Sequence, residues 1–211
     1  MQLPKFKQLP IIGIVRGAST EQLLSVVEVA LAAGLRTLEV TLNRVEAVAQ
    51  IERLRRDFGP GLELGAGTVL KPDAAEAAIA AGASFIVTPA VLPEVIEVCR
   101  RREIPVFPGA LSPTEILYAH QAGAAMVKVF PASVLGPDYL KALRGPFPDI
   151  PLLPTGGITV ESVSEYFRAG ANAVGIGGEI FKREWMESGN LSAIKEAAAA
   201  FVEAVKKSAR F

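Results

Sequence analysis

The sequence is poor in the residues that form disulfides and zinc sites. It holds one cysteine, Cys99, and one histidine, His120, in 211 residues. A single cysteine excludes an internal disulfide and fits a reducing compartment. The usual nitrogen and sulfur ligands of a catalytic zinc are therefore missing, and we expect no metal site of that kind. A magnesium site built from carboxylates alone stays open.

The sequence also lacks a net charge and long apolar runs. Lys+Arg and Asp+Glu each number 22. A balanced surface argues against nucleic-acid or membrane partners, so any anionic ligand must be held by a local site. Every apolar run is interrupted well before the ~20 residues of a membrane span, and residues 1–7 lack a signal-peptide apolar region. We expect a cytoplasmic protein.

Short β-type runs alternate with helical patterns along the chain. The predicted strands are 11–15, 37–42, 62–66, 85–88, 106–109, 126–130, 152–154 and 173–176. The predicted helices are 20–33, 45–58, 74–81, 93–102, 113–122, 139–144, 160–169 and 191–207. This α/β alternation predicts one domain over residues 1–211, a single (β/α)8 TIM barrel. An open doubly wound sheet would give the same pattern.

Lys128 is the most informative single residue. It lies in the apolar run Ala-Met-Val-Lys-Val-Phe-Pro, residues 125–131. Removal of an ammonium group from water lowers its pKa, and the neutral amine can then add to a ketone and form a Schiff base. The alternative interpretation is a strand-end lysine whose stem packs while its head reaches water.

Other polar residues fall at the carboxyl ends of predicted strands, where functional groups gather in a barrel. They are Arg16, Glu39, Thr68, Pro89 and Thr155. Strand alternation predicts that if Glu39 and Lys128 point into the barrel, their branched apolar neighbours point outward to the helices. A carboxylate and an amine in one interior suit proton-coupled carbonyl chemistry. A buried Lys–Glu ion pair without chemistry is the alternative.

Two glycine pairs end the last two strands. They are Gly156-Gly157 and Gly177-Gly178. Glycine allows a backbone to approach an anion closely, and the loops after strands seven and eight often bind phosphate in this fold. The pairs therefore predict an anion site, although tight turns would also explain them.

Five motifs carry a resemblance to a known family. They are Leu-Glu-Val-Thr-Leu (38–42), Gly-Ala-Gly-Thr-Val-Leu (65–70), Val-Lys-Val-Phe-Pro-Ala (127–132), Pro-Thr-Gly-Gly-Ile (154–158) and Ile-Gly-Gly (176–178). In this order and combination, from about residue 9 to 205, the chain strongly resembles the class I 2-keto-3-deoxy-6-phosphogluconate (KDPG) aldolase family, also called 4-hydroxy-2-oxoglutarate (KHG) aldolase.

The resemblance implies a homotrimeric barrel that forms pyruvate and an aldehyde from a small-molecule 2-keto acid without a cofactor. KDPG would give glyceraldehyde 3-phosphate, and KHG would give glyoxylate. The resemblance makes Lys128 the Schiff-base lysine and Glu39 the general acid and base. Thr68, Pro89, Phe130 and Thr155 would line the pyruvate end, with Thr155 bearing on stereochemistry at C4. The anionic ends would be held by Arg16, Gly156, Gly157, Gly177 and Gly178.

Two positions depart from the family pattern. Asn43 stands where many members carry an arginine, and Arg44 is the candidate to take over that role. Glu179 stands where a serine often binds the substrate phosphate. A carboxylate beside a phosphate is repulsive. Phosphorylated and unphosphorylated substrates therefore both stay open.

Three other classes of protein are compatible with the pattern. A phosphate-binding barrel acting as an isomerase or synthase would use the same glycines without a Schiff base. A non-catalytic metabolite-binding or scaffold protein would bind pyruvate without a covalent bond. A metal-dependent aldolase would be inhibited by a chelator.

Overall fold

The computed structural model describes residues 3–209, so the outermost residues of the predicted domain 1–211 lie outside the described range. The strands are β1 Ile11–Val15, β2 Thr37–Thr41, β3 Glu63–Gly67, β4 Phe85–Val87, β5 Val106–Phe107, β6 Gly109–Ala110, β7 Val127–Val129, β8 Leu152–Pro154 and β9 Val174–Ile176. The helices are α1 Pro4–Gln8, α2 Thr20–Ala32, α3 Ala47–Phe58, α4 Pro72–Ala80, α5 Pro93–Arg101, α6 Pro113–Gln121, α7 Ala132–Leu143, α8 Val163–Arg168, α9 Arg183–Ser188 and α10 Leu191–Ser208. A 3₁₀ turn covers Gly59–Gly61.

The strands form two parallel sheets, which confirms the α/β class. One sheet has the order β5-β4-β3-β2-β1-β9, and the other has the order β6-β7-β8. Backbone hydrogen bonds connect the sheets on both sides. On one side Ala125 N–H donates to the carbonyl of Val106 (3.0 Å), and on the other Asn172 N–H donates to Leu152 (2.9 Å).

The predicted fifth strand, 106–109, is divided into β5 and β6. Pro108 lies between them and has no N–H to donate to a ladder. Its carbonyl still accepts a hydrogen bond from Lys128 N–H at 2.9 Å. The interruption therefore leaves β7 attached to this part of the chain.

Two helix predictions need correction, and two helices were missed. The predicted helix 45–58 begins at Ala47, after an exposed loop. The predicted helix 139–144 is the last part of α7, which already begins at Ala132 and is kinked at Gly136 (φ 68°). Gly136-Pro137 reads as a breaker in sequence, but the chain continues helically on both sides. The short helices α1 and α9 were not predicted.

Apolar side chains form two separate layers on either side of the strands. The larger layer contains Leu38, Val40, Val127 and Val129 together with buried residues of the helices. The predicted outward direction of these four side chains is therefore confirmed. The smaller layer consists of Leu3, Phe6, Ile12, Ile14, Phe85, Val87, Phe107, Met126, Leu153 and Ala173. It lies on the other side of the strands from the larger layer and forms the inner apolar layer.

Aromatic rings pack tightly in this inner layer. The ring centroids of Phe85 and Phe107 are 5.5 Å apart, and those of Phe6 and Phe107 are 5.8 Å apart. Gly65 on β3 lies directly beneath the first ring, because a Cβ placed there would be 2.2 Å from Phe85 Cε2. The packing therefore requires a residue without a side chain at position 65.

We predict that Gly65→Ala destabilises the fold by about 1–3 kcal/mol, the usual cost of overpacking a core. The buried Phe85 ring has no free space into which it can move. Gly61→Ala is the matched control, since a Cβ there would meet no atom within 4 Å. Denaturant unfolding of both variants checks the prediction, and equal midpoints for the two would contradict it.

Candidate active site

Lys128 and Glu39 face the same interior. Glu39, on β2, lies in register with Ile14 of β1, and Lys128, on β7, lies in register with Leu153 of β8. Ile14 and Leu153 both belong to the inner apolar layer. Paired residues of parallel strands point to the same side of the sheet. The predicted inward direction of both ionisable side chains is therefore confirmed.

Both groups are withdrawn from water. Glu39 is 1% exposed and Lys128 is 6% exposed. Burial raises the pKa of the Glu39 carboxyl, while the nearby positive charges of Lys128 and Arg16 oppose that rise. Burial lowers the pKa of the Lys128 amine; the charge of Glu39 opposes this and that of Arg16 adds to it. Both shifts favour the uncharged forms.

The Glu39 carboxylate occupies space that a missing side chain provides. A Cβ at Gly67 would lie 1.6 Å from Glu39 Oε1, so no larger residue fits there. Among the described residues this oxygen has no hydrogen-bond partner, although it is buried. A buried acceptor without a partner is costly and is typical of functional sites. The Glu39 Oε1 therefore keeps a capacity to accept a hydrogen bond that the described residues do not use.

Thr68, next to Gly67, has an unusual backbone. Its φ is 56°, and a β-branched residue in this region is strained by about 1–3 kcal/mol. The neighbouring backbone is held from both sides, since Leu42 N–H donates to Gly67 and Val69 N–H donates to Val87. The strained turn therefore lies directly beside the Glu39 carboxylate.

A cavity of about 710 Å³ reaches Lys128. It brings together most of the residues predicted for the site, namely Arg16, Arg44, Lys128, Phe130, Thr155, Gly156, Gly157, Gly177 and Gly178. Glu39, Thr68 and Pro89 are not part of the lining formed by the described residues. Glu39 instead is buried outside this lining and acts on Lys128 through its charge. The Pro89 carbonyl lies against Gly109, where a Cβ would come within 2.3 Å of its oxygen.

Phe130 and Thr155 flank the amine in different ways. The Lys128 Nζ lies 5.0 Å from the centroid of the half-exposed Phe130 ring. Thr155 is buried, and its Oγ1 donates to the carbonyl of Leu153 at 3.3 Å. A Cβ at Gly175 would lie 2.5 Å from this Oγ1. The hydroxyl therefore has a fixed place on the cavity wall.

The two glycine pairs serve different purposes. Gly156 and Gly157 have φ values of 97° and 68°, which ordinary side chains disfavour. Gly177 and Gly178 have no such φ, and a Cβ at Gly178 would meet no protein atom within 4 Å. The first pair is thus required by the backbone, whereas the second leaves open space beside the cavity.

Sequence reasoning missed part of the cavity wall. The additional polar lining residues are Ser19, Gln22, Arg183 and Glu187. Ser19 and Gln22 form a capping box that starts α2 at the cavity edge. Arg183 and Glu187 lie on α9 and form an exposed ion pair, Nε to Oε1 2.6 Å. The i, i+4 spacing of Arg183 and Glu187 is the sequence signal that could have indicated a helix with an ion pair here.

Two negative findings apply to residues 3–209. They contain no group of three or more His, Cys, Asp or Glu side chains arranged to hold a metal ion. No helix in the same range is both long and apolar enough to cross a membrane.

Comparison with known proteins identifies similar chains. The family model described as KDPG and KHG aldolase matches residues 4–197. The 2-dehydro-3-deoxy-6-phosphogalactonate aldolase of Escherichia coli K12 is 34% identical over 201 residues, which cover 95% of this chain and 96% of the relative. The 2-dehydro-3-deoxy-phosphogluconate aldolase of Pseudomonas aeruginosa is 42% identical over 171 residues, covering 81% of this chain and 76% of the relative.

Solved structures agree with these matches. KDPG aldolase from Legionella pneumophila, with pyruvate captured as a covalent carbinolamine intermediate, superposes with a TM-score of 0.87 at 34% identity. The alignment covers 93% of this chain and 96% of that structure. A cube-shaped protein cage designed by fusing symmetric oligomeric domains gives a TM-score of 0.89 at 33% identity, covering 95% and 73% of the two chains.

We predict that Glu39→Gln makes the fold more stable than the wild type at neutral pH and equally stable below about pH 4. The folded-state pKa of Glu39 is raised, so the wild type loses stability as pH rises above the unfolded glutamate value of about 4.3. Glutamine does not ionise and escapes that loss. Unfolding free energies measured across this range check the sign.

The matched control is Glu52→Gln, which removes the same charge from the exposed side of α3. It is expected to show no such pH-dependent gain. A stability difference for Glu39→Gln that stays constant from pH 4 to pH 7 would contradict the assignment.

Proposed function

This chain belongs to the KDPG and KHG aldolase family, and from that premise we propose that Lys128 and Glu39 are its catalytic pair. The protein is a lyase, a pyruvate-forming class I aldolase. The observation that carries the residue assignment is the placement of both groups in one buried interior, coupled by charge. The proposed substrates are KDPG, KHG or both.

Lys128 supplies the nucleophile. Its lowered pKa provides the neutral amine, whose Nζ adds to the C2 carbonyl carbon of the substrate. The resulting carbinolamine loses its C2 oxygen as water and becomes an iminium ion. The iminium draws electrons from the adjacent C3–C4 bond. Covalent attachment thus converts an unreactive C–C bond into one that can break.

Glu39 moves the protons. In the resting site its raised pKa favours the protonated carboxyl, which donates the proton that the departing C2 oxygen needs. The ionised carboxylate, now stabilised by the positive iminium, accepts the C4 hydroxyl proton through a water molecule. The C3–C4 bond breaks, the aldehyde leaves, and the proton returns to C3 of the enamine. Hydrolysis then frees pyruvate and regenerates the amine.

The remaining lining residues would hold the two ends of the substrate. Arg16 lines the cavity and is the candidate for the carboxylate. Phe130 and Thr155 of the lining, together with Thr68 and Pro89 outside the lining, would surround the pyruvate portion. The backbone of the two glycine pairs would approach the distal end, assisted by Arg44. The open space at Gly178 supports this assignment, because the protein does not use it for its own packing.

The two sheets are proposed to be arcs of one closed (β/α)8 barrel. The hydrogen bonds between them on both sides support closure, as does a parallel bridge between Thr155 and Gly175. The segments β5 and β6 would then count as one strand interrupted at Pro108.

The enzyme is proposed to act as a homotrimer in the cytoplasm. Large apolar side chains are exposed after β2, β3 and β7, with Val45 99% exposed. The others in this group are Leu70, Val134 and Leu135. Exposed apolar groups near one end of a fold indicate a protein interface. Cys99, a buried free thiol, is consistent with a reducing compartment.

We predict that incubation with pyruvate followed by borohydride reduction leaves a covalent adduct on Lys128. Lys128→Arg should show no adduct and no aldol cleavage while keeping its fold, because a guanidinium does not form the iminium. Lys141→Arg, an exposed position on α7, is the control and should react like the wild type. Peptide mass spectrometry locates the adduct. Turnover of Lys128→Arg near the wild-type rate would refute the Schiff-base role.

We also predict that Glu179→Gln raises kcat/KM for KDPG about three- to tenfold by removing charge repulsion with the phosphate. The value for KHG, whose distal carboxylate reaches less far, should change less. Glu184→Gln on the exposed side of α9 is the control. Parallel assays of both substrates check this prediction. The same change for both substrates would show that the phosphate does not lie near Glu179.

A further inference from the structure

The side chains of Arg16 and Asn43 meet at the mouth of the active-site cavity. Arg16 follows β1, and Asn43 lies two residues after β2, so the adjacent strands bring the two together. The Arg16 Nη1 donates a hydrogen bond of 2.8 Å to Asn43 Oδ1. Both residues are exposed. This contact therefore holds a long cationic side chain that would otherwise be free to turn into solvent.

The position of the Arg16 guanidinium matters to the chemistry beneath it. Arg16 lines the cavity, and its charge acts on both Glu39 and Lys128. The Arg16 charge favours ionisation of the Glu39 carboxyl and disfavours protonation of the Lys128 amine. A displacement of the guanidinium would change both catalytic groups together.

An amide suits this contact better than a carboxylate. Asparagine accepts the hydrogen bond without neutralising the guanidinium, whereas aspartate would form an ion pair with it. Among the described residues Arg16 has no ion-pair partner, while the nearby Arg44 is paired with Glu46 at 3.4 Å. A guanidinium carries five N–H donors. Arg16 thus keeps its full charge and several donors for an incoming anion.

We propose that Asn43 is a positioning residue that holds the Arg16 guanidinium over the Lys128 cavity, where it receives the carboxylate of the 2-keto acid. This inference rests on the proposed function. It assigns a role to the residue that replaces the arginine found in many relatives. The orientation of Arg16, rather than an additional cation, prepares the carboxylate site.

The test measures borohydride trapping of pyruvate on Lys128 as a function of pyruvate concentration. Asn43→Ala should raise the half-saturating concentration about tenfold, the usual effect of losing a hydrogen bond to a charged group. Its limiting trapping yield at saturating pyruvate should stay near the wild-type yield. The control Gln121→Ala truncates an exposed amide at the end of α6, outside the cavity lining, and should leave the half-saturating concentration unchanged.

A double-mutant cycle separates positioning from general damage to the loop. Arg16→Ala should raise the half-saturating pyruvate concentration at least as much as Asn43→Ala does. In the Arg16→Ala background, Asn43→Ala should add no further effect, because nothing remains to be positioned. An effect of the same size in both backgrounds would overturn the proposal.

Asn43→Asp tests the role of the neutral acceptor. The added carboxylate would offset the Arg16 charge that opposes protonation of Lys128, so the pH midpoint of trapping should move upward relative to the wild type. Glu39 faces Lys128 from β2, and Arg44, Glu179, Arg183 and Glu187 line the same cavity; none of them is altered in this variant. A downward shift or no shift would contradict the inference.

Failure of the proposal differs visibly from failure of the proposed function. If wild-type protein forms no pyruvate adduct on Lys128, the Schiff-base assignment falls and the role of Asn43 falls with it. If the wild type forms the adduct and Asn43→Ala binds pyruvate equally well, the aldolase assignment stands and the positioning role alone is overturned.

Discussion

The structure depends on keeping an amine and a carboxylate together in a dry interior without letting them form an ion pair. Glu39 and Lys128 are both buried, and the described residues contain no ion pair between them. Burial pushes both groups toward their neutral forms. A direct ion pair would stabilise the charged forms and would remove both the nucleophile and the acid. The two groups are instead coupled by charge without a direct ion pair among the described residues.

Several features of the fold follow from this constraint. The carboxylate needs space among the strands, and Gly67 provides it. The interior needs to exclude water, and the aromatic packing of Phe6, Phe85 and Phe107 closes it on the side away from the cavity. The branched residues on either side of each ionisable group pack outward against helices. Each of these arrangements has a stability cost or a sequence restriction that a purely structural core would not require.

The sequence was sufficient to predict the α/β class, most strand positions and the inward direction of Lys128 and Glu39, because these depend on periods of two and on local composition. It was not sufficient for α9, whose six residues carry no apolar periodicity. It also missed the hydrogen bond between Arg16 and Asn43, which joins two loops 27 positions apart. The sequence around Gly67 does not indicate that this residue makes room for the Glu39 carboxylate, because that role depends on the register between β2 and β3. Contacts between loops follow from tertiary geometry, and a single sequence does not encode them visibly.

The charges along the cavity divide it into two unlike ends. At the Lys128 end, the Arg16 guanidinium is positive, the Lys128 amine can become positive, and the Glu39 carboxyl acts on that amine through its charge. At the outer end, Arg183 and Glu187 offset each other in an ion pair, and Glu179 adds one negative charge. The Lys128 end thus has the positive charge that the proposed carboxylate site for a keto acid needs. The outer end has no comparable excess of positive charge, so a distal anion depends on the glycine backbone for binding. Gly177 and Gly178 have no positive φ, so the backbone conformation does not require glycine there, and side-chain changes at this end would leave the proposed catalytic pair in place.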